Sequence, residues 1–373
     1  MSKVCIREAI YQDIPGIWKL CSQEFNEFRG SSLEDFRSLC DFRFFNNPSR
    51  QPFHPFGWVL EESENIVGFV GLVPVVFKIK NEIVVGASGT SWCVDPAFRS
   101  FSFLLYKELM KWGDRHFLID TTAGPVAEKF HQTLKMGMKP LPLPHLKERF
   151  FWVLDPTKFV FQIIHNRIQK KILKQTLRAW PIPNFLGQIG KTFLWGQENL
   201  SYPKIGRYIV SEINHFLPDF DQFWLKVSHH FDVTVVRDSK FLNWRHFQLP
   251  NLGGKAYVFK CEDKYSKELV GYVALQQRGH CNSFPGHYLI TDIFCDPYNI
   301  EIVKACLNRV SQFLKDERGV LFEISGLPEQ FHNISKTQRP WVRCRTSYPY
   351  WVKYRDLFQT HWWPSGLDGD QNI

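Results

Sequence analysis

Residues 91–137, SWCVDPAFRSFSFLLYKELMKWGDRHFLIDTTAGPVAEKFHQTLKMG, decide how the chain is read. The stretch opens on β-forming residues and turns at Asp95-Pro96. Arg99 follows among small and aromatic residues, and then comes an apolar helical pattern of Leu104, Leu105, Leu109 and Trp112. A second apolar run, Phe117-Leu118-Ile119-Asp120, completes a strand–helix–strand unit. The turn between the first strand and the helix is where such a unit holds an anion. The N–H groups of the first helical turn point outward there, and the positive dipole end favours phosphate.

Upstream, residues 4–6 read as a short strand and 12–28 as a helix with Ile14, Ile17, Trp18 and Cys21 on one face. Strands are expected over 57–60 and 66–77, with 78–85 as a further hairpin arm before the central unit. Downstream, Pro140-Leu141-Pro142-Leu143-Pro144 marks a domain edge.

The second half repeats the first. Phe42-Arg43-Phe44-Phe45-Asn46-Asn47-Pro48 matches Trp244-Arg245-His246-Phe247-Gln248-Leu249-Pro250, and Val67-Gly68-Phe69-Val70 matches Val270-Gly271-Tyr272-Val273. Val94-Asp95-Pro96 matches Cys295-Asp296-Pro297, and the three offsets are 202, 203 and 201. A helical pattern (Ile302, Ala305, Cys306, Val310, Phe313) and a strand over 320–324 follow, as in the first copy. So steady a register across separate motifs implies a tandem duplication of one α/β domain. The copies differ at the anion turn, where the second reads Tyr298-Asn299-Ile300-Glu301, with no Arg, Gln or Gly. A Glu there repels a pyrophosphate, so the second copy is expected to lack a nucleotide-type ligand.

The strand, Val-Asp-Pro-x-x-Arg, helix and strand of the central unit resemble the acyl-CoA-binding core of the GNAT-fold N-acyltransferases. The resemblance implies an α/β fold of the α+β mixed-sheet kind, here as two tandem GNAT-like domains. The expected division is 1–150 (acyl-CoA-binding), 151–205 (basic helical connector) and 206–373 (degenerate second domain). It implies that acyl-CoA, acetyl or longer, is the co-substrate, and that an amine acceptor (small molecule, peptide or glycan) attacks it directly without a metal. Arg99, Ser100, Phe101, Ser102, Phe103 and Leu104 would then face the pyrophosphate, with Ser102 and Leu104 where the family has glycines. The backbone of Trp92, Cys93 and Val94 would hold the pantetheine arm, and Thr133 stands where the family often has a Tyr that protonates the leaving thiolate. Asp120, at the end of the second strand, and His131, on the next helix, are the nominees for the base. Their plain alternatives are a turn cap and a solvated helix face. Two other readings stay open. One is a carrier-protein-bound acyl donor, and the other is a non-catalytic scaffold that has kept the fold.

Further elements resemble a bacterial subgroup of GNAT proteins that modify surface polysaccharides or small metabolites. They are Arg237-Asp238-Ser239-Lys240-Phe241-Leu242-Asn243-Trp244-Arg245, the end of the last helix around Met136-Gly137, and the tail Trp362-Trp363-Pro364-Ser365-Gly366-Leu367-Asp368-Gly369-Asp370.

The 373 residues suit two domains, and 44% hydrophobic content supplies a sizeable core. The 34 Phe and 13 Trp point to aromatic-lined cores or apolar pockets. A net charge of +9 suits an anionic partner. With no zinc-ligand spacing, RNA-binding signature or helix-turn-helix cue, nucleic acid ranks last. Nine scattered cysteines read as free buried thiols of a reducing cytosol. No apolar leader or spanning run occurs, so a cytoplasmic protein is expected. Residues 161–191 combine Arg167, Lys170, Lys171, Lys174, Arg178 and Lys191 with an apolar stripe. Such a helix either packs between domains or lies on the inner membrane face.

Overall fold

The computed structural model describes residues 4–167, 206–250, 254–278, 285–325, 331, 340–344, 350–354 and 361–369. After β1 (Cys5–Glu8), α1 (Ile14–Glu24) buries Ile14, Ile17, Leu20 and Cys21, which recur at helical spacing. In α2 (Leu33–Cys40) the Ser32 hydroxyl accepts the Asp35 N–H at 3.0 Å and fixes where the helix starts. Strands β2 (Gly57–Glu62), β3 (Asn65–Ile79) and β4 (Glu82–Val94) form an antiparallel meander. The separate arm expected over 78–85 does not exist. The β3 ladder continues to Ile79 and reverses at Lys80, whose φ is +56°. Its far end is held by a short strand of the second copy, Val233–Val235, which pairs with residues 77–79.

α3 (Ser102–Gly113) then crosses over to β5 (Phe117–Asp120), which lies parallel to β4. α4 (Pro125–Leu134) and β6 (Lys139–Pro140) complete the first copy. After β7 (Glu148–Val153) and α5 (Pro156–Arg167) the pattern repeats. The repeat comprises β8 (Tyr208–Ile213), α6 (Asp219–Ser228), β9 (Val233–Val235), α7 (Ser239–Phe247), β10 (Ala256–Asp263), β11 (Leu269–Gln277) and β12 (His287–Cys295). It continues through α8 (Ile300–Asp316), β13 (Leu321–Ser325) and β14 (Trp341–Cys344), and β15 (Trp351–Lys353) follows. Of the basic segment 161–191, residues 168–191 lie outside the described residues, as does residue 370 of the tail. Among the described residues no helix is long and apolar enough to cross a membrane.

The duplication read from sequence holds at the level of single strand pairs. Gly68 faces Val94 across β3 and β4, and Gly271 faces Cys295 across β11 and β12. Asp95 and Asp296 make the same turn, each accepting the amide two residues on at 2.9 Å. The repeated aromatic–Arg motifs meet where the copies join. Phe42 and Trp244 stack with centroids 4.5 Å apart, and the Trp244 indole N–H donates to Phe42 O. Two polar residues of the surrounding 237–245 element serve structure. Asp238 caps α7 through the Phe241 N–H (2.7 Å), and Asn243 clamps both backbone groups of Phe216 (2.9 and 2.8 Å).

Strand order shows what the sequence did not. The first sheet runs β1-β2-β3-β4-β5-β15-β6, with β9 added to β3, and the second runs β8-β10-β11-β12-β13-β7-β14. Place by place the orders agree, except that each copy fills the slot beside its parallel crossover strand with the other copy's strand. In one slot Trp152 of β7 stacks on Phe322 of β13 at 4.9 Å. In the other, Trp351 and Val352 are buried, and the Lys353 ammonium binds Met110 O (3.0 Å) and Asp114 (2.6 Å) at the end of α3. The sheets therefore do not divide at the expected boundaries. Residue 150 falls inside β7, which belongs to the second sheet, and 351–353 belong to the first.

One hydrophobic core joins α1 and α2 to the second copy, and a separate cluster lies under α3. Of the nine cysteines, the eight described are free, six of them buried, and Cys281 lies outside the described residues.

Candidate functional site

β4 and β5 pair only over Gly86–Phe117, Ala87–Leu118 and Ser88–Ile119 and then diverge. From Gly89 to Val94 the outer edge of β4 has no strand partner among the described residues, so alternate amides and carbonyls of that edge face a wedge-shaped opening. A bulge sharpens it. Phe69 faces Cys93 and Gly71 faces Thr90, so Ser91 and Trp92 stand opposite Val70 alone, and Ser91 takes φ +50°.

The expected pantetheine residues fall on this edge, with side chains on both faces. Cys93 points to the α1 face, its sulfur 3.7 Å from Cys21, and that neighbour together with burial pushes the Cys21 thiol well up. Val94 packs under α3. Trp92 stacks on Tyr106 of α3 (5.6 Å) and meets Phe130 of α4 edge-on (4.9 Å).

The anion turn is a 3-10 helix, Pro96–Phe101, running directly into α3. No side chain caps α3, whose N-cap is Phe101, and the Ser102 N–H and hydroxyl both donate to Arg99 O of the preceding turn. Arg99 is 63% exposed and reaches Glu24 of α1 at 3.4 Å, a surface pair worth about 0–1 kcal/mol. Its guanidinium is therefore readily redirected to a bound anion. Ser100 and Phe103 are exposed. Phe101 and Leu104, the latter at a family glycine position, turn inward against the cluster under α3.

The structure brings Asp120 and His131 together. His131 Nε2 stands 3.2 Å from Asp120 Oδ2, and Nδ1 stands 2.9 Å from the Tyr106 hydroxyl. One tautomer serves both contacts: Nε2–H donates to the carboxylate and Nδ1 accepts the phenol proton. Burial, then the Asp120 charge, pushes the Tyr106 phenol up and keeps it a donor. Asp120 Oδ1 also accepts the Thr122 N–H at 3.0 Å. His131 is buried and does not lie on a solvated face, because Trp351 of the exchanged strand covers it at 5.0 Å. Thr133 lies apart. It is exposed on α4 and makes none of the contacts of the Asp120–His131–Tyr106 chain. Tyr106 and Trp351 were not singled out in the sequence, where one reads as helical core and the other lies 220 residues from its partner.

The second copy has the same wedge, and it is filled. β12 pairs with β13 only over His287–Ile290, and beyond that the tail at 361–369 takes the edge. Gly366 N–H donates to Thr291 O (2.9 Å) and the Trp363 indole to Ile293 O (3.0 Å). Arg237 and Asp292 form a fully buried ion pair alongside. The tail then passes to the first copy. A Cβ at Gly369 would come within 2.6 Å of the Thr121 hydroxyl and 2.8 Å of the Ser88 hydroxyl, both buried where β4 and β5 part. Gly369→Ala is therefore expected to destabilise by about 1–3 kcal/mol, read as a lowered Tm. An unchanged Tm would show that the tail does not press on that wall. Among the described residues no group of three or more His, Cys, Asp or Glu stands close enough to hold a metal ion.

No protein-family model matches the chain, and no curated protein resembles it in sequence. Solved structures resemble it in fold. A conserved protein of unknown function from Enterococcus faecalis, described as a probable N-acyltransferase, superposes with TM-score 0.57 at 10% identity, over 94% of this chain and 72% of that one. A GCN5-related N-acetyltransferase from Anabaena variabilis gives TM-score 0.53 at 11% identity, over 94% and 72% of the two chains. Saccharomyces cerevisiae N-myristoyltransferase with bound myristoyl-CoA gives TM-score 0.51 at 10% identity, over 98% and 80%. The chain has the GNAT fold over most of its length.

Proposed function

We propose that the chain is an acyl-CoA-dependent N-acyltransferase with one donor cleft, in its first copy, and an amine-bearing small molecule, peptide or glycan as acceptor. The observation that carries this is the contrast between two equivalent wedges. Beyond Ser88, where the tail's Gly369 packs, the edge of β4 has no strand partner among the described residues, while that of β12 is closed by the protein's own tail. An open strand edge beside an uncapped helix start offers a pantetheine amide and a diphosphate the groups they bind. The fold neighbours named for acyl transfer support the same reading.

In this reading the acceptor nitrogen attacks the thioester carbonyl. The C–N bond forms, the C–S bond breaks, and CoA leaves as a thiolate, whose conjugate acid has a pKa of about 8.5 and needs little help to depart. The acceptor must arrive as a free amine, so the chain has to remove an ammonium proton. Asp120 is the candidate: its carboxylate ends β5 at the wedge and stays partly solvent-accessible, while His131 and Tyr106 hold it from behind. His131 is then a positioning residue.

A non-catalytic binding protein is the second reading. It is favoured by the Trp92–Phe130 contact, which bridges β4 and α4 across the opening. A carrier-protein-bound donor would use the same edge without the diphosphate turn. Thermal-shift titration with acetyl-CoA, palmitoyl-CoA and free CoA separates the three. A ligand at a hundred times its Kd stabilises by about 2.7 kcal/mol. We expect a Tm rise with at least one acyl-CoA and, in Arg99→Glu, roughly tenfold weaker binding from charge reversal at the phosphate turn. A shift that survives Arg99→Glu unchanged moves the donor away from this turn, and no shift with any of the three overturns the CoA reading.

A further inference from the structure

Where the two copies of the aromatic–Arg motif meet, the surface opens into a cavity of about 550 Å³. The first copy contributes Phe45, Asn46, Arg50 and Gln51, and the second contributes Lys240 and Gln248. The cavity sits on the α1–α2 side of the first sheet, where Phe45 packs against the large core, whereas Phe98 and Phe101 of the donor turn pack into the cluster under α3. It is therefore separate from the cleft described above. It belongs to neither copy alone, since its walls exist only where the duplicated motifs face each other.

Its chemistry is one-sided. Two cations line it and no carboxylate does. Arg50 lies over the Phe45 ring at 5.1 Å, which fixes the guanidinium at the wall without neutralising it. Lys240 projects from the first turn of α7. A concave surface lined by two such charges focuses potential on an anion, and guanidinium and ammonium groups each bind phosphate. The remaining polar side chains of the lining include four carboxamides, of which Asn47 is spent on backbone groups, while Asn46, Gln51 and Gln248 each carry both a donor and an acceptor. That pattern suits a ligand with many hydroxyls, which also donate and accept. The volume falls within the range of small-molecule sites, roughly 300–1,000 Å³.

We propose that this junction cavity binds a small phosphorylated polyhydroxy compound of the sugar-phosphate class, with the phosphate on Arg50 and Lys240 and the hydroxyls on the carboxamides. The site does not depend on acyl transfer by the first copy.

Calorimetric titration of the full-length protein with glucose 6-phosphate, glucose and inorganic phosphate is the test. Glucose 6-phosphate is expected to bind saturably, and each half-ligand at least tenfold more weakly, because each offers only one of the two kinds of contact. Arg50→Glu and Lys240→Glu are both surface changes that leave Tm in place. Each is expected to weaken glucose 6-phosphate binding at least tenfold, while Arg99→Glu leaves it unchanged. Absence of saturable binding, binding of inorganic phosphate as tight as that of the sugar phosphate, or affinity indifferent to both charge reversals would each overturn the proposal.

Discussion

Arg237→Ala is expected to lower stability by about 3–5 kcal/mol, the usual cost of removing one member of a buried ion pair. Arg237 is fully buried and joins three parts of the second copy. Its guanidinium holds Asp292 of β12 through two nitrogens (2.9 and 3.2 Å), Val235 O of β9 (3.0 Å) and the Ser365 hydroxyl of the tail (2.9 Å). Its flat face covers Phe294 at 4.6 Å. Truncation strands the Asp292 charge, which keeps only the Tyr272 hydroxyl for a partner among these. Urea unfolding of wild type and variant measures the loss. A double variant, Arg237→Met with Asp292→Asn, is expected to recover part of it, since the carboxylate stranded by the single change is then neutral, although Arg245 also loses the Asp292 charge near it. A loss below about 1 kcal/mol in Arg237→Ala would mean that water reaches Asp292.

Stability is also expected to fall as pH rises from about 4 to 7, by up to about 4 kcal/mol from one group, Asp368. Burial, only partly offset by the Arg237 charge, pushes this carboxyl up from its usual range to about 7. The folded state thus holds a proton that the unfolded chain has already released. The sign follows: the contribution is complete below the unfolded value near 4, declines through the interval, and is gone above about 7. Asp368 accepts from the Trp362 indole (3.1 Å) and the Ser365 N–H (3.2 Å), roles an amide oxygen can fill. Asp368→Asn should therefore match wild type only below about pH 4, already exceed it at pH 5, and exceed it most at pH 8. Parallel pH profiles for the two proteins would show that Asp368 is ionised in the fold and serves as a second counter-charge to Arg237.

What the sequence revealed about this molecule was what local chemistry dictates. The Asp-Pro turns, the glycines facing across paired strands and the spacing of apolar residues in α1, α3 and α8 depend on neighbours in the chain, so they could be read in both copies and their register compared. The strand exchange could not. The run Glu148-Arg149-Phe150-Phe151-Trp152-Val153 reads as a strand, but nothing in it says whose sheet it joins, because either copy offers the same kind of slot. The burial of His131 was hidden for the same reason. Most of α4 is exposed and polar, and what buries this one residue is Trp351, brought in from the far end of the chain. Asp120 and His131 were legible as polar residues in suggestive places, but their contact with each other and with Tyr106 depends on how α4 packs. The filled second wedge was half legible. Glu301 announced that no phosphate would be welcome there, while the tail that occupies it was legible as a motif but not as a filler, because it acts through backbone groups and one indole.

The exchanged strands also govern how the protein comes off the ribosome. The first sheet keeps an open slot between β5 and β6 until residues 351–353 emerge, about 210 residues after β6. β7, synthesised early, has nothing to pair with until β13 arrives some 170 residues later. Throughout that interval the nascent chain shows an unpaired strand edge and an unpaired strand of matching shape, and another copy on the same message presents the complement of both. Closure in cis is thus a race against closure in trans, and an intertwined dimer is the product that crowded or slowed translation would favour.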